Sequence, residues 1–228
     1  MTNVRFLGIL SILGLSVLAS CKKDSVIPPD PYFRNYFPNK VGSYIVYDCD
    51  SIVYDDFNNR VDTFRFKIKE LYHSQFTDNS GRSAIRLERW KKPADTLSYF
   101  LKDVWQVVKD ENQVEKVEED VRFIKVIFPV KSGREWNVNA LNSLGSRMYS
   151  YQDAHKAYSN GTLNFDSTVT VRNLDPENLV SEYRNTEIFA TNVGMVYKSQ
   201  VDVAFIVPTP VIKSGYKFTM RAIEVGIE

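Results

Sequence analysis

The chain has 228 residues, with 29 Lys and Arg against 28 Asp and Glu, so it lacks the basic surplus that grips nucleic-acid phosphates, and no nucleic-acid partner is expected. Two cysteines cannot build a cystine scaffold, and a chain of this length can bury a core without one. Its two histidines, His73 and His155, stand far apart with no Cys or His at ligand spacing; this argues against a zinc enzyme, and no metal or cofactor is expected.

The first element is a secretory signal over residues 1–20. Arg5 supplies the positive start, and Phe6–Leu18 is an apolar run too short to cross a bilayer as a helix. It ends in Leu18-Ala19-Ser20-Cys21, which resembles the lipobox of bacterial lipoproteins. The resemblance implies cleavage before Cys21, acylation of that cysteine as the lipid attachment site, and membrane anchoring at about 0.8 kcal/mol per buried CH₂. What remains has 28 basic and 28 acidic residues and no net charge. Cys21-Lys22-Lys23-Asp24 resembles the openings of lipoproteins from Bacteroidota, which implies attachment to the outer membrane and leaves open which side of it the domain faces. Pro28, Pro29 and Pro31 mark residues 21–35 as a lipidated start and extended tether, because each ring fixes φ and removes a donor.

From residue 36 to 228 the pattern is β-rich. Tyr44–Tyr54 and Asp62–Leu71 flank a hairpin loop at Asp55–Arg60, and alternation puts Ile45, Tyr47, Cys49 and Val53 on one face. Cys49 therefore reads as a small buried hydrophobe rather than a nucleophile. Ala84–Trp90 alternates, with Ile85, Leu87 and Arg89 on one parity. Leu97–Lys109 and Val114–Val130 surround a turn at Asp110–Gln113, and Val121, Phe123, Lys125 and Ile127 share a face. Glu118-Glu119-Asp120 reads as a charged outer face or turn edge. Asp153–Tyr158 is the best helical candidate, of one or two turns, and Gln200–Val207 and Tyr216–Ile227 end the series as strands. Sequential strands joined by short polar turns predict an all-β fold, an antiparallel meander forming a barrel or half-barrel; a two-sheet β-sandwich is the alternative.

Phe37-Pro-Asn-Lys-Val-Gly42 recurs as Phe128-Pro-Val-Lys-Ser-Gly133, and Asp103–Lys109 corresponds to Asn192–Lys198 at matched spacing. These pairs predict a two-fold internal repeat with halves 36–112 and 127–204. A proline cannot donate into a ladder and belongs where a strand begins, and the glycine can turn the chain through positive φ. Trp136 is the expected core plug of the second half. The Phe-Pro-x-Lys-x-Gly motif and Phe189–Lys198 also resemble a set of bacterial lipoproteins without assigned activity, which implies an envelope lipoprotein fold and transfers no catalytic residue.

No Gly-x-Ser-x-Gly elbow, phosphate-cradling glycine loop or dinucleotide fingerprint is present, and no catalytic residue is assigned. Glycosidase carboxylates leave no local signature, so a hydrolase with dispersed carboxylates stays as a third reading. Asp48, Asp50, Asp55 and Asp56 form the densest acidic cluster, but they match no calcium loop and read as a solvated strand face. Aromatic residues are the one excess, with 13 Tyr, 14 Phe and 3 Trp, most of them suited to core and cross-strand pairs. Within Val138–Asn164, an insertion without a counterpart in the first half, Arg147, Tyr149, Tyr151 and Tyr158 are the candidate contacts for a glycan or peptide. The expected function is a non-enzymatic envelope module that binds a glycan, a peptide or an apolar small molecule. The alternative is an accessory subunit that recognises a protein partner in an outer-membrane complex.

Overall fold

Alternating inward and outward side chains fold the described residues of this sequence into twelve antiparallel strands: β1 (Ser43–Asp55), β2 (Arg60–Thr77), β3 (Ser83–Lys92), β4 (Phe100–Lys109), β5 (Gln113–Glu118), β6 (Val121–Ile127), β7 (Glu135–Asn137), β8 (Met148–Ser159), β9 (Asn164–Asn173), β10 (Ser181–Ala190), β11 (Gly194–Phe205) and β12 (Ile212–Ile227). The computed structural model describes residues 30–38, 40–175 and 178–228; the signal segment and Cys21 lie outside them. The strand order is β6-β5-β4-β3-β2-β1-β12-β11-β10-β9-β8-β7, so two six-stranded meanders join where β1 pairs with β12 along almost its whole length. The sheet curls into a nearly closed barrel, as the meander pattern predicts.

The two free edges, β6 and β7, meet at a seam made largely by side chains. One main-chain bond crosses it, from Ile124 N to Val138 O at 3.0 Å. Beside it the Trp136 indole donates to Ile124 O at 2.9 Å. The Tyr151 hydroxyl donates to Ile127 O at 2.7 Å and accepts from Ile127 N at 2.8 Å. These contacts satisfy edge groups that would otherwise template pairing with another chain. Trp136 is the core plug its sequence position suggests.

The opposite problem, closing the barrel at one end, falls to the segment after Asp30. A short 3-10 turn, Arg34–Tyr36, carries the fully buried Tyr36, whose hydroxyl meets His155 Nδ1 at 2.9 Å and Ser167 Oγ at 2.8 Å. The Lys109 ammonium donates to Arg34 O at 2.9 Å and Phe37 O at 2.8 Å. Residues 30–35, expected as part of the tether, are therefore bonded to the barrel.

The strand expectations need two local corrections. Asp153–Tyr158 is not helical but part of β8, where pairing with β9 slips and Asp153 and His155 take φ of 49° and 64°. The polar spacing that imitates a helical turn belongs to a bulged strand. The run Val114–Val130 breaks at Glu119-Asp120, both at positive φ, into β5 and β6.

The first motif pair occupies equivalent places in the two halves. Gly42 (φ 86°) and Gly133 (φ 80°) each donate a backbone N–H, at 2.8 Å, to a tyrosine carbonyl on the second strand of their half, Tyr72 and Tyr151. The second pair does not: Asp103–Lys109 lies in the fourth strand of its half, and Asn192–Lys198 leads into the fifth of the other. Both glycines need the left-handed region, but a Cβ on Gly42 would also sit 2.8 Å from Glu228 O, while Gly133 has open space around it. Gly133→Ala should therefore cost about 1–2 kcal/mol of conformational strain, and Gly42→Ala measurably more. Urea unfolding of the two variants checks this; equal losses would show that the Gly42 contact is not confining.

Candidate functional site

Charged residues from seven strands link into one alternating chain that runs from the surface into the lumen. It begins at the exposed Lys102 on β4, which pairs with Asp103 at 2.7 Å. Arg89 on β3 reaches Asp103 at 2.8 Å and Glu70 on β2 at 3.0 Å. Lys116 on β5 lies 3.6 Å from Glu70 and 3.7 Å from Glu118. Lys125 on β6 lies 3.6 Å from Glu118 and 2.9 Å from Glu187 on β10, and Lys198 on β11 ends the series 3.3 Å from Glu187. The ladder starts and finishes on lysine, so it holds one more cation than carboxylate.

The electrostatics of the ladder are uneven. Burial acts to raise the Glu187 carboxyl, but the ammonium groups of Lys125 and Lys198 outweigh it and hold the group at about 2. Glu118 is likewise driven well below the ordinary carboxylate range, against its burial, by Lys125 and Lys116. Lys125 is raised, because its two carboxylates overcome its desolvation. Lys116 goes the other way: burial lowers it, and carboxylates at 3.6 and 3.7 Å stand outside good hydrogen-bonding reach. Its remaining compensation is the Trp105 ring, whose centroid lies 4.4 Å from the ammonium and 3.8 Å from the Arg89 guanidinium.

The inner end of the ladder divides the lumen, since Glu118, Lys125, Glu187 and Lys198 line the chambers on both sides. The first chamber, about 300 Å³, has an apolar wall that includes Tyr47, Phe66, Ile68, Phe189, Phe218 and Met220. Phe66 on β2 and Phe218 on β12 stack there across the intervening β1 at 6.4 Å. The second, about 260 Å³, is polar and is bounded by Arg147, Tyr149, Tyr183, Asn185, Gln200 and Asp202 among others.

Two of the four sequence-predicted binding residues, Arg147 and Tyr149, thus come together at the second chamber. The Arg147 guanidinium lies 3.7 Å from the Tyr183 ring centroid and 3.4 Å from Asp175, and the Tyr149 hydroxyl is 3.4 Å from that of Tyr183. Tyr151 is elsewhere, packed 4.7 Å from Trp136 with its hydroxyl committed to the seam. Tyr158 packs against Tyr197 at 6.4 Å in the core cluster around Tyr47 and Met220, so the four do not form one site. Tyr149, Tyr151 and Tyr158 all lie on strand β8, which is why these aromatics of the insertion pack inward. Cys49 is buried and its thiol is pushed up to about 12 by burial, which suits a packing role. In the acidic cluster, Asp50 is engaged by Arg221 at 2.7 Å and Arg65 at 3.2 Å, and Asp55 closes the hairpin through Asn58.

Sequence reasoning missed Glu70, Lys116, Glu187 and Lys198, and it placed Glu118 on an outer edge although its carboxylate faces the lumen. The usable signal was parity, because Arg89 and Lys125 both fall on stripes otherwise apolar.

No protein-family model matches the chain, and no curated protein matches it. Among solved structures it is similar to a protein from Bacteroides fragilis described as exported and of YmcC-like fold. That match has a TM-score of 0.44 and 10% identity, and covers 83% of this chain and 98% of the other. It is also similar to a protein from Parabacteroides distasonis described as a lipoprotein, with a TM-score of 0.44, 12% identity, and coverage of 86% and 100%.

The ladder makes stability pH-dependent in a defined direction. Glu118 and Glu187 have folded values below the ordinary 4.5, so their contribution is present above about 4.5 and is lost as pH falls toward and through the folded values, about 2 for Glu187 and well below the ordinary range for Glu118. Lys125→Met leaves both carboxylates short of a cation; it should cost about 3–5 kcal/mol at neutral pH and flatten the acid slope between those limits. Urea unfolding across that pH range checks it, and an unchanged slope would contradict the ladder's coupling.

Proposed function

We propose that this chain is an envelope lipoprotein of the outer membrane, anchored through Cys21, and that it binds its ligand without transforming it. The first chamber takes a small molecule with an apolar body and one anionic group. The observation that carries this reading is Lys116, a buried ammonium whose two carboxylates, at 3.6 and 3.7 Å, stand outside good hydrogen-bonding reach, beside an apolar chamber on a ladder with one surplus cation. An incoming anion supplies the missing partner, while its apolar part covers Phe66, Ile68 and Phe218. A hydrolase is less well supported: a glycosidase acid needs a raised carboxyl, and Glu118 and Glu187 are both held ionised. The second reading, an accessory subunit docking on a protein partner, draws support from Phe57, 96% exposed at the tip of the β1–β2 hairpin.

Octanoate and octanol separate the charged from the purely apolar ligand class. For the mature chain carrying Cys21→Ser, calorimetry should show saturable binding of octanoate and at least tenfold weaker binding of octanol. Lys116→Met should remove the octanoate preference. Equal affinity for the two probes, or an unaffected K116M variant, would contradict the assignment.

A further inference from the structure

The second chamber has a chemistry of its own. Three cations, Lys125, Arg147 and Lys198, face three carboxylates, Glu118, Glu187 and Asp202, so this chamber has no net charge, in contrast to the first. Neutral donors and acceptors stand between them: the amides of Asn185 and Gln200 and the hydroxyls of Tyr149 and Tyr183. Asn185 carries the decisive detail. It is 4% exposed, and its Oδ1 has no hydrogen-bond partner among the described residues. Its position is fixed by the main chain, since its backbone N–H donates to Asn173 Oδ1 at 2.6 Å. A buried amide with unmet bonding capacity destabilises the fold, and a leucine would fill the same volume without that penalty.

The lining selects a ligand class. A simple anion or cation finds no surplus of the opposite sign, and an apolar molecule would leave the amides and charges unpaired, a strong basis for rejection. The volume, about 260 Å³, is at the small end for a ligand site. A compact ring bearing several hydroxyls, each able to donate and accept, fits both the alternation and the size, and the apolar side of Phe123 offers its C–H face a surface. We propose that the second chamber binds a single neutral sugar ring, independently of the anion in the first.

The test is an NMR amide titration of the mature Cys21→Ser chain with glucose, galactose, mannose and N-acetylglucosamine, each alone, and with glycine as a zwitterion of similar polarity. At least one sugar should give saturable shifts centred on Tyr183, Asn185 and Gln200. Asn185→Leu should weaken it at least tenfold while raising Tm, so that lost binding is not lost folding. Asp202→Ala, at an exposed position, should weaken it as well, and Lys116→Met should leave it within twofold. The proposal is overturned if no sugar saturates, if N185L still binds, if glycine binds in place of the sugars, or if K116M abolishes sugar binding and so places it in the first chamber.

Discussion

Charge buried inside a β-barrel is the constraint on which this structure turns. A carboxylate or ammonium removed from water is costly unless an opposite charge replaces the lost solvation. Here each charge has neighbours that are themselves buried, from Asp103 through Arg89, Glu70, Lys116, Glu118, Lys125 and Glu187 to Lys198. Through Lys125 and Glu187 it links β6, an edge of the first meander, with β10 in the second, strands that are far apart in sheet order. The lumen at this level therefore cannot fill with interlocking apolar side chains, and space remains on both sides of the ladder.

The remaining architecture keeps that space defined. Apolar side chains pack in two clusters, one around Leu87, Val126, Trp136 and Phe189 and the other around Tyr47, Ile68, Val196 and Met220. The side-chain seam holds β6 against the start of the second meander, and the turn at Arg34–Tyr36 closes one end. At the other end, Phe57 and Leu179 stay exposed on hairpin loops. Of the two chambers lined by the same ladder, the one beside Lys116 has an apolar wall and an under-paired cation, and the one beside Arg147 has balanced charge and an unmet amide.

Much of the fold was legible because alternation is a local signal. Ile45, Tyr47 and Cys49 point inward as their spacing predicts, and so do Ile85, Leu87 and Arg89. The Phe-Pro-x-Lys-x-Gly repeat was legible because a glycine at positive φ leaves a sequence mark. Asn192–Lys198 misled by equal spacing, since strand lengths differ between the halves and hide an offset of one strand. The site was far less legible. A lysine such as Lys116 or a glutamate such as Glu187 looks solvent-facing in sequence, because its partner lies on a distant strand and only the folded sheet brings them together. Arg147 and Tyr149 were found through an excess of aromatics, whereas Tyr151, from the same parity, went to the seam.

The central claim is that the inner ladder is kept for binding rather than for stability. Replacing Lys116, Glu118, Lys125, Glu187 and Lys198 together with apolar residues of similar volume tests it most directly, because the ladder charges that remain, Lys102, Asp103, Arg89 and Glu70, still pair with one another. The account predicts a folded barrel of equal or higher Tm that has lost octanoate binding. A variant that fails to fold, or one that folds and still binds octanoate with the native preference over octanol, would contradict it.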